Sequence, residues 1–331
     1  KTIMIINNIK TRVVGVGISM DQTTCAVVDI RGNIIATDSF PTADYPVIDH
    51  YITALAYHIT ALIEANGGLE CIRSVGVSSP SGNYKKGCIA NPPNLPWKGV
   101  IPLAAMLADR LGLAVALANN AHVMALAEQV FGAAHGMKDF LVLHRSVGGG
   151  VGSCFFSEGM LHQGFRGFAG EFGHSCIVPN GRECRCGKKG CIEAYCAWNG
   201  IIHTAREVMA ESDKPSKMRT CKQLDPNVIA DLCNEGDELA IETYRRTGEI
   251  LGLGLANYAS IIDPEAIIFT GLAAKADHWL LDPTHDAFNR NVFSNIKDAV
   301  KFHISKMDDS TRYILGASVL AWGVKEYSLF K

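Results

Sequence analysis

Three β-rich runs open the chain, Val13–Ile18, Cys25–Ile30 and Ile34–Ser39, with a turn at Arg31, Gly32 and Asn33. Their spacing predicts an antiparallel meander. From Pro46 to Glu64 side chains at helical spacing (Val47, Tyr51, Leu55, His58, Leu62) predict a helix, which stops at Asn66-Gly67-Gly68. A strand over Ile72–Ser78, a helix over Ile101–Leu111 and a strand over Leu113–Ala118 complete the order βββαβαβ, which points to an α/β layered fold.

The remainder repeats that logic. Asn120–Phe131 reads as a helix, Phe140–His144 as a strand, and Val151–Phe156 with Met160–Gln163 as a hairpin. Pro179–Lys189 is loop-rich, and the chain turns helical from Cys191 to about Ala259. Ala266–Phe269 and Arg312–Ile314 are short strand candidates, and a last helix runs from Gly316 to about Glu326. The expected division is an N-terminal lobe over 1–118, joined by the C-terminal helix 316–331, and a larger lobe over 119–315.

A length of 331 residues accommodates two domains of roughly 150 residues. With 48% apolar and 19% charged residues there is ample material for buried cores. The net charge of -2 provides no general attraction to nucleic acid or anionic lipid. There is no uncharged apolar run of membrane-spanning length, and the start lacks a signal-peptide pattern. Eleven cysteines, an odd number in a long chain, fit a reduced cytoplasmic protein with one metal site better than a disulfide framework.

Eight of those cysteines are scattered; Cys176 and Cys196 among them are expected to pack as small apolar groups. Cys184, Cys186 and Cys191 cluster, and His174 stands ten residues ahead of Cys184. One imidazole and three thiolates form a tetrahedral zinc set with no open position, so the metal is expected to be structural. Gly187 and Gly190 let the loop fold tightly. Glu171 and Glu193 flank it, and carboxylates on such a loop suit sugar hydroxyls, although glutamates are usually surface charges.

Gly170-Glu171-Phe172-Gly173-His174, followed by Cys184-Arg-Cys186-Gly-Lys-Lys-Gly-Cys191-Ile-Glu193, resembles the signature of the ROK family of repressors, open reading frames and sugar kinases. The resemblance covers nearly the whole chain and is closest to Bacteroides-type glucokinases. Further matching stretches are Asn91–Gly99, Gly136–Phe140, Glu193–Cys196 and Leu315–Ser318. It implies a two-lobed actin-like (ribonuclease-H-like) α/β fold with a zinc loop, a hexose such as glucose or an N-acetylated hexose in the interlobe cleft, ATP with magnesium, and a homodimer. Carried over residue by residue, the sugar set is Ser81, Gly82, Asn83, Asn94, Asn119, Asn120, Glu171, His174 and Glu193. His174 would then offer one ring nitrogen to the sugar and the other to zinc.

The catalytic parts depart from that pattern. The family's base aspartate is Asn120 here, and an amide takes no proton at neutral pH. Losing a general base typically costs ~10²–10⁴ in rate. The first phosphate loop, Asp-x-Gly-x-Thr in the family, reads Gly17-Ile18-Ser19-Met20-Asp21. A carboxylate ~4 Å from a phosphate oxygen costs roughly 4 kcal/mol at an effective dielectric of ~20. The second, Gly-Thr-Gly-Val-Gly, is Gly148, Gly149, Gly150, Val151 and Gly152, and the adenosine-side glycine pair is Gly271-Leu272. A glycine run alone is weak evidence of phosphate binding. His144-Arg145 at the strand end is either an anion contact or a strand-end charge pair. Two readings follow: a hexose-binding sensor or regulator with phosphoryl transfer weak or lost, or an ATP-dependent hexose 6-phosphotransferase. About ten residues precede the first strand, so no DNA-binding helix–turn–helix is expected within this chain.

Overall fold

The structure is a computed structural model that describes residues 10–92, 95–145, 149–271 and 273–324. In chain order the elements are β1 (Arg12–Ile18), β2 (Gln22–Asp29), β3 (Ile34–Pro41), α1 (Ile48–Glu64), β4 (Ile72–Ser79), β5 (Gly82–Asn83), β6 (Cys88–Ala90), β7 (Val100–Ile101), α2 (Leu103–Leu111), β8 (Ala114–Asn119) and α3 (Asn120–Phe131). There follow β9 (Phe140–Arg145), β10 (Val151–Ser157), β11 (Met160–Leu161), α4 (Glu193–Cys196), α5 (Trp198–Ala210), α6 (Pro226–Asn234), α7 (Glu238–Ile262), β12 (Ala266–Gly271), α8 (Ala273–Asn291), β13 (Lys301–Ile304) and α9 (Asp309–Trp322).

Contacts divide these into two compact units. The first comprises residues 10–135, 164–168 and 307–324; the second comprises 136–163 and 169–306. The first carries a mixed sheet in the order β3-β2-β1-β4-β8: the meander is antiparallel and β1-β4-β8 is parallel. Alternation sends Cys25, Val27 and Phe40 towards α1, where Tyr51, Ile52, Leu55 and Ile59 close the core. On the opposite face α9 lies directly on β1 and β4. A Cβ on Gly15 would stand 2.7 Å from the Ile314 carbonyl, and one on Gly76 1.9 Å from that of Ala317. The second unit has a mixed sheet in the order β11-β10-β9-β12-β13, whose Leu141, Leu143, Ile267 and Phe269 join a core with α5, α7 and α8. The chain is thus α/β with mixed sheets, and no described helix is long and apolar enough to cross a membrane.

Several expectations change. The meander and the helix over Asn120–Phe131 form as read, but α3 belongs to the first unit, so the division falls after His135 rather than near Ala118. Arg312–Ile314 is not a strand. Asp308 accepts the Thr311 N–H through its side chain, capping α9, and these residues occupy the first turns of that helix. Sheet pairing in that region comes from β13, parallel to β12. Val100–Ile101 pairs as β7, so α2 starts at Leu103. Cys196 is buried as expected, whereas Cys176 is exposed.

Candidate functional site

The second unit brings the four metal-type donors together. One ligand atom from each of His174, Cys184, Cys186 and Cys191 lies within 4.8 Å of all the others. The Cys186 and Cys191 sulfurs are 3.7 Å apart, and the Cys184 sulfur is 3.6 Å from His174 Nδ1. Tetrahedral bonds of ~2.3 Å to sulfur imply edges of about 3.8 Å, so the set is already spaced for a zinc-sized ion. Local sequence dictates this shape. Gly187 and Gly190 take positive φ, and a Cβ at Gly190 would come within 1.8 Å of the Val178 carbonyl. Isolated antiparallel backbone β-bridges join Cys176 to Cys191 and Glu183 to Lys189, pinning the loop ends, and Lys188 Nζ donates to the His174 carbonyl at 2.7 Å. Burial and the neighbouring thiols push Cys191 up to about 12, and burial raises Cys184 as well. A divalent ion would offset that cost by holding all three as thiolates. It would fix the loop and the imidazole and supply no open coordination position.

Glu171 and Glu193 stand beside this loop in different settings. Burial raises the Glu171 carboxyl above the ordinary range, His174 pulls it down, and Glu193 raises it further. Glu193, first residue of α4, is buried; its Oε2 accepts the Val151 N–H at 3.1 Å, and its Oε1 faces Arg185 at 3.4 Å. A Cβ on Gly150 would lie 1.9 Å from Glu193 Oε2. The glycine run and the second glutamate, read separately in the sequence, are therefore one feature. The glycine gives the carboxylate room, and the carboxylate occupies a loop N–H. Gly149 and Glu193 both line a cavity of about 430 Å³ with Arg182, Cys184, Ala197 and His203. Gly271 takes positive φ, and a Cβ there would meet the Arg145 carbonyl at 2.3 Å. Gly152 lies in β10; Gly148, Ser146 and Leu272 fall outside the described residues.

The first unit holds the other predicted residues. Ser81 has positive φ, and its carbonyl accepts the Ala90 N–H; a Cβ on Gly82 would stand 2.5 Å from the Ala118 carbonyl. Asn83 is 3% exposed, donating to the Arg166 carbonyl and accepting from the Lys86 N–H. Asn119 caps α3 by accepting the Ala121 N–H at 2.8 Å. Asn120 opens that helix and accepts from the Ser78 hydroxyl at 2.8 Å, which leaves its NH₂ as the available donor. Asn94 falls outside the described residues. Gly17 lies in β1 next to its last residue, Ile18, and Ser19 closes the β1–β2 hairpin by donating to the Gln22 carbonyl and accepting the Gln22 N–H. Asp21 and Met20 are exposed at its tip.

Arg145, expected as an anion contact or a strand-end charge pair, is buried at the end of β9. It is 2% exposed, beside Tyr244 and Cys196, and burial lowers its pKa. No hydrogen-bond partner for its three guanidinium nitrogens is present among the described residues. A buried Arg312–Glu128 pair at 2.7 Å in the first unit also went unread.

Comparison with known proteins supplies the context for this geometry. The model of the ROK family matches residues 13–323. A glucokinase of Streptomyces coelicolor is 28% identical over 84% of this chain and 87% of its own length. A xylose repressor of Caldicellulosiruptor bescii is 27% identical over 72% of this chain and 60% of its own length. Among solved structures, a ROK-family transcriptional regulator described as a homologue of the E. coli MLC protein superposes with a TM-score of 0.82 at 22% identity, over 95% of this chain and 78% of its own.

Proposed function

The chain belongs to the ROK family, and from that premise we propose that it binds a hexose while phosphoryl transfer is weak or lost, so that it serves as a sugar sensor or regulator on an actin-like scaffold. Glu171, His174 and Glu193 of the second unit and Asn83, Asn119 and Asn120 of the first are the assigned sugar contacts. With Nδ1 of His174 turned to Cys184, its Nε2 is the ring nitrogen left for a sugar hydroxyl. The zinc set fixes that orientation. Glucokinases and a repressor stand side by side among the relatives, so family membership alone leaves transferase and regulator both open.

The observation that carries the choice is Asn120. The resemblance assigns it the position of the family's base; it opens α3, and its side-chain carbonyl accepts from Ser78. A sugar hydroxyl could receive a hydrogen bond from its NH₂ but has no acceptor there for its proton. Two further features weigh the same way. The β1–β2 hairpin closes through Ser19 and carries Asp21 at its tip, a carboxylate that repels phosphate. The Val151 N–H, a donor that a phosphate loop would aim at its ligand, is already bonded to Glu193.

Titration calorimetry of the full chain with glucose, N-acetylglucosamine and magnesium ATP, run beside an ADP-release assay, tests this reading. Sugar heat with neither nucleotide heat nor ADP supports it. Turnover at ordinary kinase rates, ~1–100 s⁻¹, would replace it with an ATP-dependent hexose kinase. No sugar heat at millimolar concentration would remove its first half.

A further inference from the structure

One exposed thiol stands beside the metal loop and belongs to none of the sets assigned above. Cys176 follows His174 by two residues and is exposed, whereas Cys191, its partner in the isolated antiparallel bridge, is buried. His174, Cys184, Cys186 and Cys191 complete a tetrahedral set without it.

The hydrogen bonds around that bridge fix how the two cysteines face each other. The Ile177 N–H donates to the Gly190 carbonyl at 2.8 Å, and the Ile192 N–H to the Ser175 carbonyl at 3.0 Å. Both bonds lie on residues flanking the pair, so Cys176 and Cys191 form a non-hydrogen-bonded antiparallel pair. In such a pair the α-carbons approach to ~4.5 Å and the two side chains are neighbours on one face. A disulfide spans α-carbons ~4.4–6.8 Å apart, so this register meets the requirement at its short end. Gly190 leaves the space between them clear. A Cβ on it would stand 3.1 Å from the Cys176 sulfur, so that sulfur lies against the backbone that carries Cys191. With the metal bound, the other three thiols are held by the ion, and Cys176 is the thiol beside the loop left free for an oxidant.

We propose that Cys176 and Cys191 form an oxidation site, at which a hydroperoxide converts the pair into a disulfide and the loop releases its metal. In the first step the Cys176 sulfur attacks the peroxide and breaks its O–O bond. This gives a sulfenic acid and, from hydrogen peroxide, water. In the second step the Cys191 thiolate leaves the ion and attacks that sulfur; the S–S bond forms and hydroxide departs. The sulfur pair loses two electrons and the peroxide gains them. Three donors then remain where four closed the shell. A disulfide at the short end of the span and near the surface is easily reduced, so a thiol reductant with zinc restores the loop. The inference rests on the metal assignment of the loop and is independent of hexose binding.

The test uses the full chain, loaded with zinc and treated with a stoichiometric amount of hydrogen peroxide. Released zinc is followed with a chromogenic chelator, and disulfides are mapped by mass spectrometry of a non-reduced digest. The Cys176–Cys191 linkage should appear first, in step with zinc release, and dithiothreitol with added zinc should reverse both. Cys176→Ser should load as much zinc as the parent and lose it roughly tenfold more slowly, since only metal-held sulfurs remain at the loop. Linkages confined to Cys184, Cys186 and Cys191, or zinc release from Cys176→Ser at the parent's rate, overturn the inference. So does a Cys176–Cys191 disulfide formed with zinc retained. A parent chain that takes up no zinc removes the metal assignment instead; mapping alone then decides the oxidation site, and absence of the Cys176–Cys191 linkage overturns it.

Discussion

Two loops of this chain are held in place in different ways. The loop from Gly173 to Glu193 brings four metal-type donors together, while the β1–β2 hairpin carries Ser19, Met20 and Asp21 at its tip. The reason lies in what holds each in place. The metal loop has little regular structure, and its shape depends on two positive-φ glycines, two isolated bridges and four converging ligand atoms. The hairpin is held by sheet register and by the Ser19–Gln22 turn, so its side chains can change without loss of the fold.

The largest effect should therefore come from the metal loop. Cys191→Ser leaves three donors around a site built for four. Zinc content measured by atomic emission should fall from about one ion per chain to near zero. The loss of a structural site should cost several kcal/mol in denaturant unfolding, and glucose binding should fall at least a hundredfold, since His174 loses its anchor. Full glucose affinity in the metal-free variant would mean that the loop is shaped by its backbone alone, and the contrast with the hairpin would collapse.

Next comes an attempt to restore what the first unit lacks. Asn120→Asp alone returns a base, nominally worth ~10²–10⁴ in rate, yet ADP release should remain near background because the hairpin still has Asp21 at its tip. The triple variant Gly17→Asp, Asn120→Asp, Asp21→Thr should recover measurable turnover. A single Asn120→Asp variant with brisk turnover would show that the hairpin was never the barrier.

How much of this was legible in the chain differs by region for a physical reason. The Cys/His cluster was readable because three of its members lie within eight residues and the spacing itself encodes the loop. The meander was readable because two-residue alternation is a local signal. Arg312–Ile314 was misread because Arg-Tyr-Ile-Leu suits a strand, whereas the cap at Asp308 and the burial of Ile314, Ala317, Ser318 and Ala321 at helical spacing decide for α9. The unit boundary was misplaced because α3 packs on α9: Gly316 sits against the Val123 carbonyl, a contact between residues nearly two hundred positions apart. Glu193 had to be seen beside Gly150 before either could be understood, since nothing in the linear spacing joins them.

Arg145 sharpens the comparison from the other side, as a charge in the second unit with no described partner. A buried guanidinium without partners is destabilising, and apolar replacement of buried charge often gains ~1–4 kcal/mol. Arg145→Met should therefore raise the unfolding midpoint, by roughly 2–4 °C per kcal/mol for a domain of this size. A lower midpoint would mean that the guanidinium is satisfied in solution by groups beyond the described residues or by ordered water.

The smallest effect concerns Asp308, which caps α9. Bonds from Ser310 and Thr311 draw its carboxyl down to about 2 in the folded chain, against an ordinary value of 3.8. The folded state binds the proton less readily than the unfolded state, so the stabilisation is complete above the unfolded value and declines as pH falls from about 4 towards 2. The group is largely exposed, so solvent screening limits the contribution to about 1 kcal/mol or less. Asp308→Asn keeps a good cap and removes the ionisation. Its stability near neutral pH should match the parent within a few tenths of a kcal/mol, while the part of the acid-induced loss between pH 4 and 2 that depends on this group should disappear. If parent and variant lose stability in parallel over that interval, the capping bond is not sensed by the carboxyl's charge.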